Sequence, residues 1–483
     1  MVGGTFTSTN GIMQGYPLSV ILLNAYVQTW ANLVRAECPG VLPKAYADDM
    51  GLTCSSLDAL QHALTTTHRF AQDTGMRINA DKSHVWGTTT ENIRGLSHPR
   101  IGDESIPVLT GARQLGAHLS FNRRRGTTTL AAKEGEVHRI CSRIQALPVV
   151  LDIRAVLVGG VVNAKALYAC AATPPGKRRL RSLRAACCRA IWGQAFRTRA
   201  PEVVFTLFAR GHRCDPIVAC AYDTVCTARR VLRKHPDLHG MLKRVLRTRY
   251  ERDDVSRIGG PGKALCEALQ ESGAAIGVDD LNLNFCRPGE QEGVGLSLTC
   301  PDKGGFEHLL RDSLRRQQWS RLVQRRAGFN GLEHGVDRAT SLYLQPYLTG
   351  LDRYRLRCIM AGAINTQRHL YRIRAAETDL CQCCGLQPED IRHICVDCPA
   401  HAHVRGRSGI PEAARLAAPD CLSLHGLLPE GWLQNIDQDD RRETVAKFQY
   451  MLLDILPHLG LAATGSTLAE RSNGQTRGVA VRW

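Results

Sequence analysis

Two aspartates, Asp48 and Asp49, stand side by side in the otherwise apolar run AYADDM at residues 45–50. Adjacent strand residues point to opposite faces, but at a tight turn both can approach one point. Two carboxylates so placed supply the oxygen ligands that hard divalent cations take. A pair of such cations can clamp the attacking and leaving oxygens of a phosphoryl transfer. Taken alone, the pair reads better as a solvated surface turn. Its neighbours sharpen the reading. Upstream, GIMQGYPLS at 11–19 leads into a helix. There Gly15 and Pro17 bend the chain, and Gln14 offers an amide able to read a base or a backbone. Downstream, GMRINADKS at 75–83 carries Lys82, long enough to reach a phosphate, and Leu115-Gly116 follows.

A second constellation lies near the other end. Cys381-x2-Cys384 is followed by His393-x4-Cys398. Thiolates and imidazole are good zinc ligands, and four of them close a structural tetrahedral site with no open position for catalysis. Gly385 suits the turn after the first pair, and Leu380 and Ile394 offer an apolar backing. Cys395 is the alternative fourth ligand, giving an all-cysteine site, while Cys383, His401 and His403 are nearby spares. Asp437, Asp439 and Asp440 read as a helix cap and solvated charge.

The elements that must hold these groups follow from periodicity. Ser19 to Val34 is expected as a helix, capped by Ser19, with Ile21, Leu22, Ala25, Val27 and Trp30 near helical spacing. Ala45 to Thr53 is expected as a hairpin with the acids at its apex and Gly51 permitting the turn. Leu57 to Thr74 is expected as a helix ended by Gly75. Short strands are expected at Arg77–Ile78, Ser83–Gly87 and Leu115–Leu119, giving an α+β fold on one sheet. After Arg125 the text turns helical, as in Val137, Ile140, Cys141, Ile144 and Leu147. Leu180, Leu183, Cys187, Ala190 and Ile191 repeat that pattern, with Lys177, Arg178, Arg181, Arg184 and Arg189 on the other faces. Gly259 to Gly305, rich in turn residues, is expected as a linker. A last helix is expected at about Asp439 to Leu456, before a disordered Gly/Ser/Arg tail.

The order of motifs resembles the reverse transcriptase domain of non-LTR (LINE-type) retrotransposons. GIMQGYPLS is similar to that family's motif B, AYADDM to motif C, GMRINADKS to motif D, and RQLGAHL at 113–119 to motif E. The resemblance implies RNA-directed DNA polymerisation with two Mg²⁺, acting on an RNA template, a DNA primer and deoxynucleotides. It implies that Asp48 and Asp49 are metal ligands, that Gln14, Gly15 and Tyr46 meet template or nucleotide, and that Lys82 stands near the leaving pyrophosphate. Tyr16 and Val20 depart from the motif B pattern. Motif A, which supplies the other metal-binding aspartate, is upstream of motif B in the family. Here only ten residues precede Gly11 and none is acidic, so the chain is expected to be a fragment, inactive alone. The alternative is a non-catalytic, zinc-containing nucleic-acid-binding protein derived from such an element. LRSLRAACCRAIWG at 180–193 resembles part of the family's helical thumb. LRCIMAGAINTQRHLYRIR at 356–374 and the cysteine cluster resemble its zinc-bearing C-terminal segment.

The expected organisation is a palm remnant at 1–121, a helical thumb-like region at 122–258, a linker at 259–305, a helical region ending in the zinc segment at 306–403, and a C-terminal helix and tail at 404–483. The chain has 483 residues, 62 Lys plus Arg against 45 Asp plus Glu, and a net charge of +17. That balance points to a polyanionic partner. Nucleic-acid contacts are expected from the basic helices, at Lys177, Arg178, Arg181 and Arg184 first, with further clusters at Arg123–Arg125, Arg229–Lys234, Lys243–Arg252 and Arg315–Arg326. The 19 cysteines are scattered and odd in number, which fits a reducing compartment, nuclear or cytoplasmic, rather than a secreted disulfide scaffold. No signal peptide is visible at the N-terminus. The most apolar stretch, Ala155 to Thr173, carries Asn163 and Lys165 and is expected as a buried helix rather than a membrane span. The sequence leaves the oligomeric state open.

Overall fold

The computed structural model describes residues 16–96, 98–120, 128–193, 198–209, 211–250, 259–285 and 294–457. The chain forms two compact units, Met1–Thr129 and Leu130–Trp483.

In the first unit, helix α1 (Ser19–Glu37) packs on helix α2 (Leu57–Asp73). Trp30, Val34, Ala63 and Phe70 form the centre of that contact. Trp30 is fully buried, and its indole N–H donates to Thr67 Oγ1 at 3.1 Å. The predicted apolar stripe of α1 is only half used. Trp30, Ala31 and Val34 are buried, whereas Ile21 and Leu22 are exposed, because only the C-terminal half of the helix meets α2. Leu18, not Ser19, is the N-cap, and no side chain caps this end. α2 behaves as its sequence implies. Ser56 accepts from Ala59 N–H at its start, and Gly75, at φ +69°, turns the chain away at its end.

Among the described residues the strands do not build one sheet. Between the helices, β1 (Leu42–Tyr46) pairs antiparallel with β2 (Asp49–Thr53). β3 (Arg100–Ile101) pairs with β4 (Glu104–Ser105), and β5 (Gly111–Gln114) with β6 (Ala117–Ser120), each as a separate two-stranded ribbon. Leu115 and Gly116 are therefore the turn of a hairpin, both at positive φ, and not the start of a strand. Of the short strands expected around Lys82, only a single bridge between Val85 and Val108 forms, and Ala80–Lys82 is a 3₁₀ turn.

The second unit is largely helical. α3 (Thr128–Ala146) and α4 (Lys177–Trp192) bury Val137, Cys141, Ile144, Leu183, Cys187 and Ile191 in one core, as their spacing implies. The apolar stretch after residue 150 is a short helix, Leu151–Leu157, running into a π-turn, Val158–Asn163, a helical turn, Ala164–Ala166, and then turns. No described helix is long and apolar enough to cross a membrane.

The described part of 259–305 is packed structure rather than linker. α5 (Pro216–Lys234), α6 (His239–Tyr250) and α7 (Gly260–Ser272) pack with a three-stranded antiparallel sheet. Its strands are β7 (Ala274–Ile276), β8 (Asn282–Phe285) and β9 (Val294–Ser297). Leu265, Leu269, Ile276, Leu283 and Phe285 join Phe306 and Leu310 of α8 (Lys303–Arg325) in a second core. The turn residues that suggested a linker cap and connect these short elements. Gly273, in the left-handed conformation, ends α7 in the manner of a helix C-cap.

A third core joins Ile359, Ile394, Leu422, Phe448 and Leu452. The last helix, α9 (Gln438–Ile455), is capped by Asp437, which accepts from Asp439 N–H. The tail at 458–483 and Arg123–Arg125 lie outside the described residues.

Candidate functional site

The acidic pair sits where β1 turns into β2. Register Tyr46↔Asp49 leaves Ala47 and Asp48 as a two-residue turn. Ala47 takes φ +52°, the sign that the first position of a type II′ turn requires. Gly51 lies within β2 opposite Lys44 and plays no part in the turn. Asp48, Asp49 and Tyr46 are all exposed at this tip. Lys82, also exposed, ends a separate 3₁₀ turn, where its N–H donates to Asn79 Oδ1 at 3.2 Å. Gln14 and Gly15 lie outside the described residues. Two exposed carboxylates offer oxygen ligands to a divalent cation. Among the described residues no third acidic, histidine or cysteine side chain joins them in a ligand cluster. Such a pair, taken by itself, offers part of the ligand set that two divalent cations take.

The cysteine–histidine segment is more complete. Cys381, Cys384, His393 and Cys398 place their ligand atoms within 4.8 Å of one another. Cys381 Sγ and Cys398 Sγ are 3.9 Å apart, and Cys384 Sγ and His393 Nε2 are 3.3 Å apart. A tetrahedral site with Zn–S bonds of ~2.3 Å needs sulfur separations of about 3.7 Å, so this donor set fits that ion. The first two ligands come from a turn closed by Gly385 N–H to Cys381 O at 2.8 Å and Cys381 N–H to Gln387 O at 2.8 Å. Gly385, at φ +67°, suits that turn. The other two flank a π-turn, His393–Asp397, whose Cys398 N–H returns to His393 O at 2.6 Å.

Charge is concentrated within this group. The Leu386 N–H, with His393 and the other thiols, brings the Cys384 thiol down to about 7. Burial and the neighbouring thiols push Cys398 up to about 11. A divalent cation would relieve both by holding all three sulfurs as thiolates. Cys395 stands apart, buried in the third core, where desolvation raises its thiol to about 12. His393, rather than Cys395, is thus the residue brought to the other ligands. Of the expected apolar backing, Ile394 is buried but Leu380 is exposed. Glu389 carries a role that spacing did not reveal. Buried, it accepts from Gln367 N–H at 2.9 Å and Gln382 N–H at 3.1 Å, tying the cysteine turn to the preceding helix. An acid midway between Cys384 and His393 was the only signal in the sequence.

The basic helices divide into two kinds. Lys177, Arg178 and Arg181 of α4 are exposed, as a polyanion contact requires. Arg184 is not. Its guanidinium donates to Asp215 at 2.8 Å, Glu202 at 3.0 Å and Gln318 at 2.8 Å, and Glu202 is also paired with Arg325. These two acids hold the Arg184 charge in place against the cost of burial. Arg229 likewise donates to the carbonyls of Cys300 and Pro301, and Arg326 to those of Thr198 and Arg199. Among the expected clusters, these cations build the fold instead of facing outward.

A family model described as reverse transcriptase (RNA-dependent DNA polymerase) matches residues 2–99. The match contains the Asp48–Asp49 hairpin and Lys82 and ends before the β5–β6 hairpin. The chain therefore carries reverse transcriptase sequence in its first unit. No curated protein matches the chain.

Proposed function

We propose that the chain derives from the reverse transcriptase of a non-LTR retrotransposon. In this reading the first unit is the part of the polymerase palm that runs from motif B to motif E. The observation that carries the reading is the hairpin Leu42–Thr53, which sets Asp48 and Asp49 together on one exposed turn inside the stretch matched by the reverse transcriptase family. Asp48 and Asp49 would hold Mg²⁺, which would stabilise charge on the oxygens of phosphoryl transfer. The exposed Tyr46 side chain beside them would border the nucleotide, and Lys82 would approach the leaving group. The second unit would contribute a thumb-like nucleic-acid surface through Lys177, Arg178 and Arg181, and a structural Zn²⁺ held by Cys381, Cys384, His393 and Cys398.

Residues 1–36 contain no acid, the nearest upstream of the pair being Glu37, and Glu37 is engaged with Arg69 at 2.5 Å. Catalysis would need a further carboxylate beside the pair, and among the described residues no third ligand joins Asp48 and Asp49. That observation favours, for the polypeptide by itself, the second reading of a nucleic-acid-binding protein without catalysis.

Metal-directed cleavage tests the assignment of the acids. Fe²⁺ replaces Mg²⁺ in the presence of ascorbate and peroxide, and backbone cuts report where it binds. Cuts flanking residues 45–50 that vanish in Asp48→Asn and Asp49→Asn are expected. A cutting pattern indifferent to both substitutions would remove the metal role.

A further inference from the structure

A cleft of about 1070 Å³ opens in the second unit between α5 and the π-turn Val158–Asn163 with the turns that follow it. This exceeds the roughly 300–1,000 Å³ of ordinary small-molecule pockets. Exposed cations line it: Arg213, Arg230, Arg233, Lys234 and Lys303. Two acids, Asp223 and Glu307, are also present. Glu307 is within 3.8 Å of the Lys303 ammonium, and Asp223 lies in the field of Arg213 and Arg230. Five cations against two acids leave a positive surface. Tyr168, 55% exposed, stands on the same wall, next to Ala169 at φ +61°.

The wall is built, not incidental. Asn163, at the end of the π-turn, is buried and donates from its amide to Arg213 O at 2.6 Å and Cys214 O at 3.0 Å. This fixes the backbone from which Arg213 projects. On the opposite side, Arg229 is anchored to the Cys300 and Pro301 carbonyls and lies over the Phe306 ring at 5.2 Å, which ties α5 to the start of α8. π-turns inside helices are frequent at functional sites.

We infer that this cleft binds single-stranded nucleic acid, with its cations on successive phosphates and Tyr168 stacked on a base. A flat bilayer cannot enter a concave cleft. An acidic peptide would satisfy the cations but gives the aromatic face no planar partner. A duplex turns its bases inward and leaves Tyr168 nothing to stack on. A strand with unpaired bases uses both features, since stacking on aromatics and phosphate contact with cations are the two parts of such recognition. The inference rests on the reading of the second unit as nucleic-acid-binding, and it gives that unit a site and a ligand class. None of the cleft residues is Lys177, Arg178 or Arg181.

The test is fluorescence anisotropy with the full 483-residue chain and a labelled 12-nucleotide RNA, single-stranded or annealed to its complement, between 50 and 200 mM salt. Substitution of Arg213, Arg230 and Arg233 together by Glu is expected to weaken single-strand binding at least about thirtyfold. It should also reduce the slope of log affinity against log salt by about 2, since each phosphate contact contributes about 0.7. Tyr168→Ala should weaken single-strand binding about tenfold, Tyr168→Phe should restore it, and duplex binding should be indifferent to both. Thermal midpoints equal to wild type show that the variants fold. If wild type binds but only the triple reversal of Lys177, Arg178 and Arg181 weakens it, the cleft assignment fails alone. If wild type binds no RNA, the nucleic-acid reading of the unit fails with it. Stronger binding to phosphatidylglycerol vesicles than to RNA, unaffected by Tyr168→Ala, would also overturn the inference.

Discussion

Arg184 shows how one side chain can reverse its expected role. By helical spacing it falls among the cations of α4 and reads as a polyanion contact. In the folded chain its side chain is only 13% exposed, and it joins four elements: α4, Glu202 on the next short helix, Asp215 capping α5, and Gln318 on α8. Its partners lie 18, 31 and 134 residues away in sequence, so no local pattern could have announced them. Removing one member of a buried ion pair leaves an uncompensated charge, at a cost of about 3–5 kcal/mol. Arg184→Ala should therefore lower unfolding free energy by that order in urea titration, whereas Arg181→Ala should change it by under about 0.5 kcal/mol. The network also sets a pH dependence. Burial opposes ionisation of Glu202, but Arg184 and Arg325 outweigh it and hold its pKa below the ordinary value. A carboxyl depressed on folding stabilises above its unfolded pKa of roughly 4.3, and that contribution is lost as pH falls through the lower folded value. Acid titration of stability should show a steeper fall below about pH 4 in wild type than in Glu202→Gln.

Among the elements, the acidic hairpin was legible in AYADDM because apolar flanks and a turn-forming acid pair leave few alternatives. Its geometry was not, since Gly51 suggested the turn and Ala47 makes it. A non-glycine residue at positive φ costs roughly 1–2 kcal/mol locally, while glycine there costs more chain entropy on folding. Ala47→Gly should leave the stability of the first unit within about 1 kcal/mol of wild type. Ala47→Val, β-branched, should lower it by about 1–2 kcal/mol, both read by thermal unfolding. The Cys/His cluster was legible in its spacing, because its four residues are close in sequence. The choice between His393 and Cys395 was not, because it depends on which one the π-turn His393–Asp397 returns to the first pair. Elemental analysis of the purified chain should find one zinc per molecule, retained in Cys395→Ala and lost in Cys384→Ser and His393→Ala. Zinc kept in His393→Ala and lost in Cys395→Ala would reverse the assignment. The region 259–305 was misread for a related reason. Its glycines mark turns between elements too short for periodicity to reveal, and only the packing of α7 and β7–β9 on α5 and α8 shows them as a core.

For the whole molecule, net charge is a better guide than any single cation. Many of the arginines that make up the +17 are spent on internal pairs and carbonyls, yet the exposed remainder on α4 and around the α5 cleft still leaves surfaces suited to polyanions. The first unit carries sequence matched by the reverse transcriptase family, and among the described residues no third ligand joins Asp48 and Asp49. The most direct measurement is primer extension on an RNA template with Mg²⁺. It compares the 483-residue chain with the same chain fused behind a fingers and motif A segment of a non-LTR reverse transcriptase, each with and without Asp48→Ala. Loss of one metal ligand costs on the order of 4 kcal/mol of transition-state stabilisation, or about a thousandfold in rate. The account predicts extension by the fusion, and loss of that activity by about a thousandfold or more in Asp48→Ala. Fusion activity unchanged by Asp48→Ala would contradict the catalytic assignment itself.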